Sequence, residues 1–181
     1  MKIARAWEDI IVELGYPHLD EHLNESPARV ERFMREWHTL GSPPPKITTF
    51  PTESDDVVVI GDIRFYSMCA HHGLPFFGEA SVGYLPGKKI AGLSKFARVV
   101  DHFARRFQVQ ERLTRQIAAY LTHELEPLGL GVVVRAEHLC MSMRGIERPG
   151  HRTTTSAMLG VFRDKPEARA ELLELMRAGD G

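Results

Sequence analysis

The chain has 181 residues and a mass of 20.5 kDa, room for one compact domain with a small appendage. Its 23 basic and 24 acidic side chains leave a formal net charge of −1. That balance excludes a protein that coats nucleic acid through a large basic field, although it leaves room for a local basic pocket. No run approaches the roughly 18 apolar residues of a membrane span, and Met1-Lys2-Ile3-Ala4-Arg5 begins no apolar signal segment. The protein is expected in the cytoplasm, with its two cysteines, Cys69 and Cys140, kept as thiols.

Ile3, Trp7, Ile10, Ile11 and Leu14 recur at helical spacing up to Gly15, and a second helix starts at Ser26-Pro27, a cap followed by a first-turn proline. Its stripe is Val30, Phe33, Met34 and Trp37, with Gly41 as the stop, and Gly41-Ser42-Pro43-Pro44-Pro45 is a stiff connector. The boundary follows it: residues 1–45 form an N-terminal helical arm and residues 46–181 the main domain. Extended chain is expected over Val57 to Ile60 and Ile63 to Tyr66, broken by Gly61, and again over Gly78 to Tyr84. Ser94 caps a helix carrying Phe96, Val99, Val100 and Phe103, and after a break near Gln108 a longer helix steps through Leu113, Ile117, Leu121 and Leu125. Val132-Val133-Val134 begins a third strand that runs toward Cys140; a fourth starts in Arg152-Thr153-Thr154-Thr155 and continues to Val161, and a polar helix ends the chain. Two strand pairs around a helix pair favour an α+β fold, a four-stranded antiparallel sheet with two helices on one face.

Chemistry concentrates in Ser67-Met68-Cys69-Ala70-His71-His72 and His138-Leu139-Cys140. Side chains two apart on a strand share a face, so His138 and Cys140 project together. With Cys69 and His72 where the first strand turns, two thiolates and one imidazole can converge, a set that suits Zn2+ and leaves a fourth position for water. Singly, a cysteine is a small buried hydrophobe and a histidine an ordinary hydrogen-bonded residue. His71 cannot easily share a coordination sphere with its neighbour and is left as a proton carrier. Lys95 and Arg98 share a helix face near its N-terminus, where an anion such as phosphate is favoured, and Arg144 could add to that site; a solvated basic turn is the plain alternative. Glu111, at the start of the long helix, either favours the helix dipole or accepts two N–H bonds from a guanine edge.

Ser67-Met68-Cys69-x-His71-His72, Gly92-Leu93-Ser94-Lys95-x-x-Arg98, Gln108 to Thr114, and His138 to Gly145 together resemble the GTP cyclohydrolase I family, in consistent order from about residue 25 to about residue 175. The resemblance implies a tunnelling fold (T-fold) assembled into a homodecamer of two pentamers with active sites at subunit interfaces. It implies conversion of GTP and water to 7,8-dihydroneopterin triphosphate and formate, the first step toward folate and related pterins. Carried over by position, it implies Cys69, His72 and Cys140 as zinc ligands, His71 and His138 as catalytic histidines, and Ser94 near the ribose. Gln110 and Glu111 match the guanine contacts; Lys95, Arg98 and Arg144 match triphosphate contacts, and Arg32 falls near a further one. The family usually has a glutamate where this chain has Ala70. No ligand is lost by that change, but a related enzyme that stops at a formyl intermediate, or uses another purine nucleotide, is an alternative. A non-catalytic guanine-nucleotide-binding ring is another, against which the full histidine and cysteine set weighs.

Overall fold

The computed structural model describes residues 2–16 and 21–178, so the stretch of the expected helical arm at 17–20 lies outside it. The chain divides into two compact units, Met1–Leu40 and Gly41–Gly181. In the first, α1 (Lys2–Glu13) and α2 (Ser26–Trp37) pack together. The Ala4 N–H donates to Glu31 Oε2 at 2.9 Å, and Arg35 Nε donates to Glu31 Oε1 at the same distance. These donors hold the Glu31 carboxyl below the usual carboxylate range, the Ala4 bond contributing most. Ser26 opens α2 without capping it, its hydroxyl donating back to the His22 carbonyl. The helix ends at Trp37 rather than Gly41, because His38 has already turned to extended backbone.

The second unit runs β1 (Thr49–Pro51), β2 (Val58–Cys69), β3 (Pro75–Leu85), β4 (Lys89–Ala91), α3 (Ser94–Ala104), β5 (Phe107–Gln108), α4 (Gln110–Leu125), β6 (Gly129–His138), α5 (Leu139–Ser142), β7 (Arg152–Gly160), α6 (Val161–Asp164) and α7 (Pro166–Ala178), a mixed α/β fold. Among the described residues the main sheet is five-stranded, ordered β5-β2-β3-β6-β7. The four long strands are antiparallel, and two-residue β5 joins the edge parallel to β2. A strand that short carries no periodicity, so the sequence expectation of four strands misses it. β1 and β4 form a separate small ladder.

On one sheet face α3 (Phe96, Val99, Val100) and α4 (Leu113, Ile117, Leu121, Leu125) bury Phe65, Ala80, Val82, Tyr84, Leu130, Val132 and Val134. Apolar side chains at four-residue steps give α4 one continuous buried stripe, which is why its period is plain in the sequence. The expectation of helices on one face only is corrected by α7, whose Leu172 and Met176 pack with Phe162 of α6 and Val133 on the opposite face. The residues that admit it are glycines. A Cβ on Gly131 would stand 2.5 Å from Leu172 Cδ2, and one on Gly83 would stand 2.3 Å from Leu172 Cδ1. Gly131→Val is therefore expected to push α7 outward and destabilise the unit by about 1–3 kcal/mol, the usual effect of overpacking. Thermal melting checks this, and Leu172→Ala in the same chain should recover part of the loss.

Gly61 does not divide β2 in two; it sits in a bulge. Ile60 pairs with Val82 and Ile63 with Ala80, so β2 carries one extra residue, and Asp62 takes a left-handed φ of 53°. The extra residue reverses the alternation. Val58 and Ile60 face the helices before it; Ile63, Phe65, Ser67 and Cys69 face them after it. Without the bulge the odd-numbered residues would point away from the helices, and Cys69 with them.

Candidate metal centre

Cys69 ends β2, and the chain reverses immediately. The Cys69 N–H donates to Leu74 O at 2.8 Å, the Gly73 N–H donates to Cys69 O at 2.9 Å, and Gly73 takes a φ of 68° that glycine adopts without strain. Ala70, His71 and His72 form this turn, and His72 Nδ1 lies 3.8 Å from Cys69 Sγ. His71 is exposed, its ring centred 6.3 Å from that of His72. Ala70 donates its N–H to Gln108 O, which ties the turn to the edge strand, and its side chain brings no charge.

His138 ends β6 as the pairing partner of Phe76, and the two rings stack in parallel with centroids 4.6 Å apart. Cys140 follows in the short helix α5 and not on the strand, so the shared-face argument for His138 and Cys140 is corrected: the strand stops and the chain coils back over its own end. Glu137 secures that coil, its Oε1 accepting from Ser142 Oγ at 2.6 Å and from the Gly150 N–H at 3.2 Å. These bonds hold its carboxyl below the ordinary range.

The ligating atoms of Cys69, His138 and Cys140 all lie within 4.8 Å of one another, the one such cluster among the described residues. Donors around a tetrahedral zinc with ~2.3 Å sulfur bonds stand roughly 3.5–4 Å apart, so two sulfurs and an imidazole at this spacing fit a zinc-sized, thiophilic ion. His72, one donor away from Cys69, is the second imidazole at hand. Burial pushes the Cys140 thiol up, and a hydrogen bond with the Cys69 thiol pushes it further. Cys140 therefore holds its proton more tightly than a free thiol does. Arg144, close enough to oppose that shift slightly, lies on the same side.

The first turn of α4 reaches this centre from above the sheet. His138 Nε2 lies 2.8 Å from Gln110 Oε1. Burial lowers the basicity of the His138 imidazole, and the Glu111 carboxylate, within electrostatic reach of the ring, partly restores it. Gln110 itself is buried, and its amide nitrogen donates to Val134 O at 3.0 Å and Thr153 O at 2.9 Å. Nothing in the sequence around Gln110 announced this bonding; the only sign was Thr114, one turn along, facing the alternating threonines of β7.

Ser94, Lys95 and Arg98 lie elsewhere in the unit. Tyr84 stacks on Phe96 at 5.6 Å and its hydroxyl accepts from the Ala91 N–H, so the start of α3 sits at the Tyr84 end of β3. The metal cluster sits at the Phe76 end, roughly 25 Å away along the strand at about 3.3 Å per residue. Within one chain Arg144 therefore does not join Lys95 and Arg98. Arg32 belongs to the other unit, on α2, where it lines a depression with Ala28, Glu31, Arg35 and Glu36.

The sequence matches an established group of proteins. The chain is 47% identical over 176 residues to the GTP cyclohydrolase 1 of Aquifex aeolicus, covering 97% of this chain and 96% of that one. It is 47% identical over 179 residues to that of Desulforamulus reducens, with the same coverage, and 46% identical over 180 residues to that of Thermobifida fusca, covering 97% and 87%. The family model described as GTP cyclohydrolase I matches residues 3–177, and the chain belongs to that family.

Proposed function

We propose that this chain is a zinc-dependent enzyme that converts GTP and water to 7,8-dihydroneopterin triphosphate and formate. The observation that carries the reading is the convergence of Cys69, His138 and Cys140 at one sheet end, with Glu111 within electrostatic reach of His138. Cys69, Cys140 and His72 would hold the ion, leaving His138 and His71 to move protons. When bound, zinc supplies an activated solvent nucleophile at neutral pH. Glu111 accepts the paired N–H groups of the guanine edge and so aims the five-membered ring at the metal, a positioning effect. His138 delivers a proton to the ring nitrogen that departs, while the buried wall of Phe76 fixes the imidazole plane.

The triphosphate needs cations, and of Lys95, Arg98 and Arg144 it is Arg144 that stands at the metal-cluster end of this unit. A second copy that presents the start of its α3 would add Ser94 for the ribose with Lys95 and Arg98 for the phosphates; Arg32 would be a further contact. This requirement supports a site shared between subunits; T-fold rings stacked as two pentamers are what the family resemblance implies.

Incubation with GTP, with and without a chelator, tests the function through the fluorescence of the oxidised pterin. Chelator-sensitive pterin formation is expected, and its absence from metal-replete protein would sink the reading. Accumulation of an opened formyl species would instead point to the related chemistry that Ala70 raises. Glu111→Ala should lower the preference for GTP over ATP by at least about a hundredfold, since a site built to pair with N–H groups discriminates strongly by leaving partners unpaired. Its zinc content should not change; an unaltered nucleotide preference would remove Glu111 from the guanine site.

A further inference from the structure

Gln110 sits between the helix that carries Glu111 and the strand that carries His138, and its bonds determine one another. Its Nε2 lies 3.0 Å from Val134 O, 2.9 Å from Thr153 O and 3.2 Å from Thr155 Oγ1. Two of these neighbours are main-chain carbonyls, which only accept, so this end of the amide must be the NH2 group. The other end is then the carbonyl oxygen, 2.8 Å from His138 Nε2. An oxygen without hydrogen can only accept, so His138 Nε2 carries the proton.

The hydroxyls beside Gln110 agree. Thr114 Oγ1 donates to the Gln110 main-chain carbonyl at 2.9 Å and lies 2.6 Å from Thr155 Oγ1. With the Thr114 hydrogen committed to that carbonyl, the Thr155 hydroxyl donates to Thr114 and is left to accept from the Gln110 amide. Every donor direction follows from carbonyls that cannot reverse, and the set is buried: Gln110 is 2% exposed and Thr114 1%. A buried, satisfied network of this kind is stiff. The stacked Phe76 ring blocks rotation of the imidazole out of its plane.

We propose that Gln110 is a positioning residue that locks His138 as its Nε2–H tautomer and fixes its ring plane, leaving Nδ1 as the bare ring nitrogen. The inference rests on the zinc cyclohydrolase reading for the work of His138, and it gives the Gln110 side chain a different task from the guanine contact that the family resemblance implies. An amide already bonded to two carbonyls and an imidazole has no donor left for a purine.

The first test is the 15N spectrum of histidine-labelled, zinc-loaded protein, read at His138 (assigned by its loss in His138→Asn). Protonated Nε2 and bare Nδ1 are expected; protonated Nδ1 in the unaltered chain overturns the inference. The second is Gln110→Leu, which keeps bulk and removes both ends of the amide. Its kcat should fall about 10- to 100-fold, the usual effect of losing the group that orients a working histidine, with KM for GTP within about threefold, full zinc content and a mixed His138 tautomer signal. Gln110→Glu, which as a buried neutral acid can donate to one of the two carbonyls and still accept from Nε2–H, should recover the single tautomer and part of the kcat. A raised KM with unchanged kcat and tautomer would return Gln110 to the guanine site and overturn the proposal. Failure of the functional reading looks different: the unaltered chain then forms no pterin from GTP while its His138 spectrum still reports Nε2–H.

Discussion

Replacing Cys140 with serine is expected to remove the metal and the turnover together. Its sulfur is one of three donors within 4.8 Å, and a serine hydroxyl at the same place is a hard, protonated oxygen that does not substitute for a thiolate on zinc. The remaining sulfur, on Cys69, would be left with imidazoles and no second anion to offset the dication. Metal content of purified Cys140→Ser should drop to a small fraction of stoichiometric, and pterin formation should fall by at least about a thousandfold, because both the activated solvent and its geometry disappear. The same thiol gives the pH dependence of loading. Burial and the Cys69 contact raise its pKa, so the metal must displace a proton held more tightly than usual. Affinity therefore rises with pH and weakens as pH falls, since the protonated thiol competes with the ion. Full metal occupancy in Cys140→Ser, measured by elemental analysis, would reject its role as a ligand.

That centre was legible in the sequence to the extent that local geometry made it so. Cys69 and His72 lie on one tight turn, and His138 and Cys140 on one chain reversal, so short spacing already implied proximity. Phe76 pairs directly with His138, and the register that joins the two halves follows from the pleat. What spacing could not show was which end of the sheet a residue occupies. Lys95, Arg98 and Arg144 read as one anion site because their charges match; the structure puts the start of α3, with Lys95 and Arg98, toward the opposite end of β3 from the metal cluster. Nor could it show which face a strand presents after a bulge: Gly61 looked like a break, and it instead carries the extra residue that turns Cys69 toward the helices. The terminal helix α7 was expected, but the face it covers hid for a related reason. Its partners are glycines on β3 and β6, which give no hydrophobic signal and act by leaving room. Gln110 was assigned by resemblance to the substrate; only the coordinates of Val134, Thr153 and His138 show how its amide is occupied.

The residue on which fold and site depend jointly is Phe76, and Phe76→Ala is expected to damage both. The side chain is fully buried, meets Phe65 edge-on at 5.9 Å and 77°, and lies flat against His138 at 4.6 Å and 1°. Truncation leaves a ring-sized void beneath the end of β3, and such changes in a packed core cost about 3–5 kcal/mol. For a unit of this size that corresponds to a fall in melting temperature of roughly 10 °C. The loss should not stop at stability. With the ring gone, the His138 imidazole is held through Nε2 alone and can tilt over the vacated space, and misplacement of a proton-transfer group by about an ångström lowers turnover up to about a hundredfold. Phe76→Leu, which fills most of the void but offers no flat surface, separates the two effects: it should melt within a few degrees of the parent yet keep much of the catalytic defect. Parent-like turnover in Phe76→Leu would show that volume alone matters at this position, and parent-like melting of Phe76→Ala would contradict the packing described for the end of the sheet.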